Sequence, residues 1–177
     1  MKKSVLAGAA ALVAAVSAGI AHSASSQSGP SLVGTWARTT TCAELVSAFR
    51  SAGVSRLVNE MVVGNGFIPG VQSPGELRDP ARPCLGAVPR KHSHFFSKNG
   101  EFGSLDWNGN PVDDGRYRVG KPGTVTIFKE FPKVSFRYQV RGKAISFTPL
   151  VLRGCQTFRC AWAISVAYPG KTWKRVG

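Results

Sequence analysis

From residue 32 onward the chain is punctuated by short runs in which apolar and polar side chains alternate, the period-2 signature of strands with one buried face. Phe136, Tyr138 and Val140 alternate with Arg137, Gln139 and Arg141, and Val125 and Ile127 alternate with threonines. Asn99-Gly100, Asn108-Gly109, Asp114-Gly115 and Arg141-Gly142-Lys143 stand between such runs, and Asn-Gly and Asp-Gly accept the positive φ of tight hairpins. The stretch 91–119, with His92-Ser93-His94-Phe95-Phe96 and Phe102 to Trp107, reads as the start of an antiparallel meander. Past Pro149, Trp162, Ile164, Val166 and Tyr168 alternate with Ala163, Ser165 and Ala167, which predicts a further strand, and Thr172 to Val176 predicts the last.

One segment follows a different period. Thr41 with Glu44 three residues later forms a capping box, and Leu45, Val46, Phe49 and Val54 recur at helical spacing. A helix is therefore expected over 42–52, resuming between 55 and 62. Residues 63–89 carry five prolines and five glycines and predict a long loop. About eight strands with short links suggest a mainly β, up-and-down meander closing into a barrel, with one N-terminal helix and a long loop tethered by a disulfide.

The first residues change the picture of compartment. Lys2-Lys3, the Ala/Val-rich run 5–20 and the small residues 21–26 read as a secretory signal with cleavage near 21–25. The division expected is a signal peptide over 1–24, a linker over 25–31 and one domain over 32–177. The product would be secreted. Four cysteines, Cys42, Cys84, Cys155 and Cys160, follow the signal, and an even count in an oxidising compartment suggests two disulfides with three possible connectivities. The four residues between Cys155 and Cys160 suit a clasp across a turn, which leaves Cys42 with Cys84.

The whole chain has 23 basic and nine acidic residues. Without Lys2 and Lys3 the 21 remaining basic residues give a formal charge of +12, which favours polyanionic neighbours such as an envelope polymer or an anionic lipid surface. Arg116, Arg118, Arg137 and Arg141 alternate with apolar residues, and Lys143 sits at a turn, so these five are expected as an external basic stripe. Tyr117, Phe136 and Tyr138 have the opposite parity and would point inward. Base stacking needs exposed aromatics among the cations, so the pattern disfavours nucleic acid.

Gly34-x-Trp36 on the first strand, the meander of Gly-turned hairpins and the terminal Trp173-x-Arg175 together resemble the lipocalin-like (calycin) barrels. The wider pattern, including Thr39-Thr40-Thr41-Cys42 and 92–96, resembles small exported bacterial proteins. The resemblance implies that Trp36 plugs one barrel end and that Arg175 packs across it.

No catalytic constellation is legible. There is no Gly-x-Ser-x-Gly elbow, and Asp113 and Asp114 are adjacent, so on a strand they face opposite ways. Asp106, Asn108 and Asn110 begin like a calcium loop, but Pro111 replaces its glycine and Tyr117 its glutamate, leaving a turn. His92 and His94 share one strand face and are weak metal candidates. No third ligand is fixed by spacing, and ordinary surface or rim histidines are the alternative. No cofactor is expected. The primary expectation is a carrier of a small apolar or amphipathic ligand, with Trp36, Phe96, Tyr117, Tyr138 and Trp162 lining a barrel pocket. The alternative is an envelope-associated or inhibitor-like module that binds anionic polymers or a protein partner through its basic exterior.

Overall fold

The computed structural model describes residues 31–128, 133–150 and 157–177. The expected signal segment, most of the 25–31 linker and Cys155 lie outside them.

Alternation builds eight antiparallel strands in chain order: β1 (Gly34–Thr40), β2 (Arg90–Phe96), β3 (Glu101–Leu105), β4 (Pro111–Val119), β5 (Thr124–Phe128), β6 (Val134–Arg141), β7 (Ala144–Pro149) and β8 (Thr172–Arg175). Each pairs with its neighbour in sequence, and β8 returns to β1, so the meander closes into a barrel. Among the described residues every strand therefore has a neighbour on both sides. The β1–β8 join is short, with only Trp36↔Arg175 and Ala37↔Lys174 in register, whereas β1 pairs with β2 from Gly34↔Phe96 to Thr40↔Arg90.

The register sorts the connections into two ends. Residues 97–100, 120–123 and 142–143 turn at one end, which the chain's C-terminus shares. The other end carries α1 (Cys42–Ser51), α2 (Val58–Gly64), the 65–89 loop and α3 (Phe158–Ala167).

The capping box that predicts α1 is present: Glu44 N–H donates to Thr41 Oγ1 at 3.2 Å, and Thr41 N–H donates to Glu44 Oε2 at 3.0 Å. Leu45, Val46 and Phe49 face the core. The Cys42–Cys84 disulfide ties α1 to the loop with Cα atoms 5.6 Å apart. By chain entropy, closing so long a loop stabilises the fold by ~4 kcal/mol. The loop is anchored again by Phe67, which is fully buried, and by Arg90, whose Nε donates to Gly66 O at 2.5 Å. Trp107 lies on Gly66, where a Cβ would stand 1.9 Å from the indole, and the Arg90 guanidinium sits 4.7 Å from the Trp107 ring.

Two expectations fail in kind: Asp114-Gly115 lies inside β4, paired with Gly103 and Phe102, and makes no hairpin turn, and the strand expected after Pro149 is a helix. Residues 162–168 belong to α3 and its cap, not to a strand. Of the small residues between Trp162, Ile164 and Val166, Ala163 is apolar and Ser165 turns its hydroxyl back to Trp162 O at 2.9 Å. Ala161, Ala163 and Ala167 are buried alongside them, so the helix is apolar around most of its circumference. A segment of that composition satisfies period 2 as readily as 3.6, and alanine favours the helix.

Candidate functional site

The inward faces of the strands meet as a block of aromatic rings. Phe96 lies 5.2 Å from Phe102, 5.1 Å from Tyr117 and 5.9 Å from Phe147, centroid to centroid, and Phe136 lies 6.2 Å from Phe147. Trp162 descends from α3 to within 6.4 Å of both Phe102 and Phe136, and its Nε1–H donates to Asp113 Oδ2 at 3.0 Å. Of the five residues expected to line a pocket, Trp36, Phe96 and Trp162 are buried. Tyr117 and Tyr138 are half-buried, and the Tyr117 hydroxyl donates to Ser97 O at 2.7 Å. None of the five lines any of the four clefts described below.

At the hairpin end, Trp36 is fully buried, its Nε1–H donates to Leu32 O at 2.8 Å, and the Arg175 guanidinium lies 4.3 Å above its ring. Arg175 also donates to Val33 O and Ser31 O, each at 2.7 Å. The arrangement expected of Trp36 and Arg175 is thus present in the geometry.

His92 and His94 are buried on the inner face of β2, not set on the rim. Residues 90–96 point alternately, and the parity that puts Phe96 in the core puts both imidazoles there too. His94 Nε2 lies 3.2 Å from Val166 O, an acceptor only, so this nitrogen carries the proton. Nδ1 then accepts from Ser104 Oγ at 2.8 Å. Burial depresses the His94 pKa to about 3. Burial, with the nearby Arg90 charge, brings His92 to about 4 against the opposing pull of Asp106. Among the described residues no group of three or more His, Cys, Asp or Glu side chains is arranged to hold a metal. Asp106 instead closes the β3–β4 turn, accepting from Asn108 N and Asn110 N at 2.8 Å each.

A polar cluster lies at the helix-bearing end. Arg38 is opposite His92 in register, and its Nη2 donates to Glu44 Oε1 at 2.5 Å. Lys171 Nζ reaches the same oxygen at 3.3 Å. Burial raises the Glu44 pKa, but the Thr41 N–H, Arg38 and Lys171 outweigh it and hold the carboxyl at about 2. Tyr168, in the left-handed region at φ 42°, packs its ring beneath Arg38. Four buried atoms here, Arg38 Nε, Thr40 Oγ1, His92 Nδ1 and the Tyr168 hydroxyl, lack a hydrogen-bond partner among the described residues.

The exterior has a different character. Arg116, Arg118, Arg137, Arg141 and Lys143 are all exposed, as expected of an outer stripe. β5, β6, β7 and β8 contain no acidic residue, and in the sequence after Asp114 a single acidic residue, Glu130, stands against thirteen basic ones. Hydroxyl side chains separate the cations: Arg118 is opposite Thr126, Thr124 is opposite Arg137, and Arg137 is opposite Thr148. Lys91 and Lys174 extend this face past the expected five. The signal for them was available, since the alternation that turns His92 and Trp173 inward turns both lysines outward.

Clefts open between the described residues on the surface. One of about 430 Å³ runs between α1 and Tyr168, with Glu44 and Lys171 on its wall. One of about 560 Å³ lies between α1 and Arg82–Leu85 of the loop, and a smaller one of about 270 Å³ adjoins it near Asn59. The fourth, of about 470 Å³, lies over the β1–β8 join and carries Arg38, Lys91 and Lys174. The chain matches no known family profile, no curated protein and no solved structure.

Proposed function

We propose that this chain is an exported, non-enzymatic binding module built on a lipocalin-like barrel, and that it engages an anionic polymer through the outside of that barrel. The observation that carries the reading is that the strands β5, β6, β7 and β8 themselves hold no acidic residue and that their exposed cations are spaced by hydroxyls. Such a face attracts polyanions over several ångströms and holds them by many weak contacts. Arg175 over Trp36 supports the lipocalin-like assignment. The Cys42–Cys84 disulfide fits an oxidising destination, and the Lys2-Lys3 start followed by an apolar run fits export.

The carrier alternative places its ligand where Phe96, Phe102, Phe136, Phe147 and Trp162 already touch one another. A pocket there would have to displace rings packed at ordinary aromatic distances. The exterior therefore accounts for more of the molecule.

The test is titration of the secreted protein with short-chain inorganic polyphosphate at several salt concentrations. Saturable binding that weakens at least about tenfold between about 50 and 200 mM salt is the expected result, since counterion release governs such contacts. No binding at about 50 mM salt overturns the reading.

A further inference from the structure

We propose that the groove over the β1–β8 join is the anchoring subsite of this basic face and takes one tetrahedral oxyanion group, a phosphate or sulfate ester, of the polymer. This rests on the polyanion reading above and adds where the chain is gripped.

The groove lies where β1 and β8 cease to pair beyond Ala37, the join running only from Thr35, which is bonded to Val176 and Gly177, to Ala37. β1 and β8 are paired at Trp36 and Ala37 and then part, and in place of a ladder bond Arg38 Nη1 donates to Thr172 O at 3.4 Å. On the outer face Ala37 is opposite Lys174 and Thr39 is opposite Lys91. Two ammonium groups therefore rise from the strands on either side of β1, while the small, buried Ala37 keeps the floor between them low. Thr39 and Thr172 supply hydroxyls, and none of the described residues lining the groove is a carboxylate. Neither lysine makes an ion pair among the described residues.

The geometry selects the class of anion. A planar carboxylate is best held by the paired N–H groups of a free guanidinium fork. Here Arg38 has committed both terminal nitrogens, one to Thr172 O and one to Glu44, and Glu44 neutralises it. The uncompensated charge comes from two lysines, point charges that reach an anion from opposite sides, with hydroxyls between them. An anion with oxygens in several directions uses all of these donors at once. The subsite is also continuous with the wider face. Lys174 is opposite Ala144, and Ala144 is opposite Arg141, so Arg141 and Lys174 stand two strands apart, about 10 Å.

Two double variants that each remove two exposed cations decide the matter: Lys91→Ala with Lys174→Ala, and Arg137→Ala with Arg141→Ala. Arg38 is left intact because its ion pair helps hold α1 to the barrel. After thermal unfolding has verified that both variants are folded, each is titrated at one salt concentration with polyphosphate, dextran sulfate and polyglutamate. The groove variant is expected to lose at least about tenfold in affinity for the two tetrahedral polymers and the face variant about threefold or less, since non-specific contacts lose affinity in proportion to charge alone. Selective loss with only one of the two polymers assigns the subsite to that ester. Equal losses in the two variants overturn the subsite and leave the polyanion reading standing. Loss for polyglutamate as large as for polyphosphate overturns the tetrahedral selection. Failure of the wild-type protein to bind any of the three overturns the reading beneath it.

Discussion

Arg175 and Trp36 face each other across the short join between β8 and β1, in direct register, with the guanidinium carbon 4.3 Å from the indole centroid. The pair closes both the barrel end and the sheet. The arginine stacks on the ring while its nitrogens hold the carbonyls of Val33 and Ser31, so one side chain secures the entry of the chain into β1. Trp36→Ala should cost ~3–5 kcal/mol, as removal of a large buried ring does. Arg175→Ala should cost ~1–3 kcal/mol through the lost stacking and the two carbonyls left bare. Denaturant unfolding followed by tryptophan fluorescence measures both, and a loss below ~1 kcal/mol for Trp36→Ala contradicts the closure.

Gly34 belongs to the same device. Its φ is +139°, and a Cβ there would stand 2.5 Å from Arg175 Nη1. Gly70 also has a positive φ, +79°, but nothing lies within 4 Å of its Cβ position. Both Gly→Ala variants carry backbone strain of ~1 kcal/mol or more, and only Gly34→Ala also displaces the arginine. Its unfolding midpoint should fall clearly below that of Gly70→Ala. Equal midpoints would mean that Arg175 moves aside without cost.

How much of this was legible follows from what each segment must satisfy. The hairpins were readable because one face of each strand is buried and the other wet, so period 2 is enforced at every step, as with Phe136, Tyr138 and Val140 against Arg137, Gln139 and Arg141. The α1 helix was readable because Thr41 and Glu44 announce its start. The α3 helix was not, because it is enclosed and its spacers Ala161, Ala163 and Ala167 need no polar face to mark a period. The same enclosure hid the state of the interior, since parity shows that Tyr117 and Phe96 point inward but not whether Trp162 arrives to fill the space between them. The groove was hidden for another reason: it depends on where β1 and β8 stop pairing, which no local pattern records.

The enclosed histidines make the fold acid-sensitive. Burial holds His94 at about 3 and, with Arg90, His92 at about 4, both below the ordinary 6.5, and Glu44 is held at about 2 rather than 4.5. A depressed folded pKa means that the unfolded chain takes up protons first. The stability these groups contribute is thus complete above pH 6.5 and is lost as pH falls, from 6.5 toward 4 for His92, from 6.5 toward 3 for His94 and from 4.5 toward 2 for Glu44. Denaturant midpoints should fall between about pH 7 and pH 4 by the equivalent of a few kcal/mol, since each tenfold change in a group's proton affinity on folding is worth about 1.4 kcal/mol. His94→Gln should flatten that slope. A wild-type midpoint that does not change across this range would place the imidazoles in water.

Helical packing across the barrel mouth has its own check. Ala163 is fully buried on α3, so Ala163→Leu forces extra volume into a closed space and should cost ~1–3 kcal/mol. Backbone carbon shifts of 158–167 should be helical in the wild-type protein. Extended shifts there, with Ala163→Leu tolerated, would restore a strand and empty the barrel.

Amide and side-chain NMR shifts decide between the two sides of the barrel wall, with polyphosphate added in one series and a naphthalene-sulfonate probe in the other. If the partner is held on the exterior, polyphosphate perturbs the outward residues Arg137, Arg141, Lys91 and Lys174 while Phe96, Phe136 and Trp162 stay unmoved, and the apolar probe leaves the inward set unmoved as well. Saturable shifts of Phe96, Tyr117 and Tyr138 with the apolar probe, and none on the outer face with polyphosphate, would place the ligand inside the barrel and overturn the exterior reading.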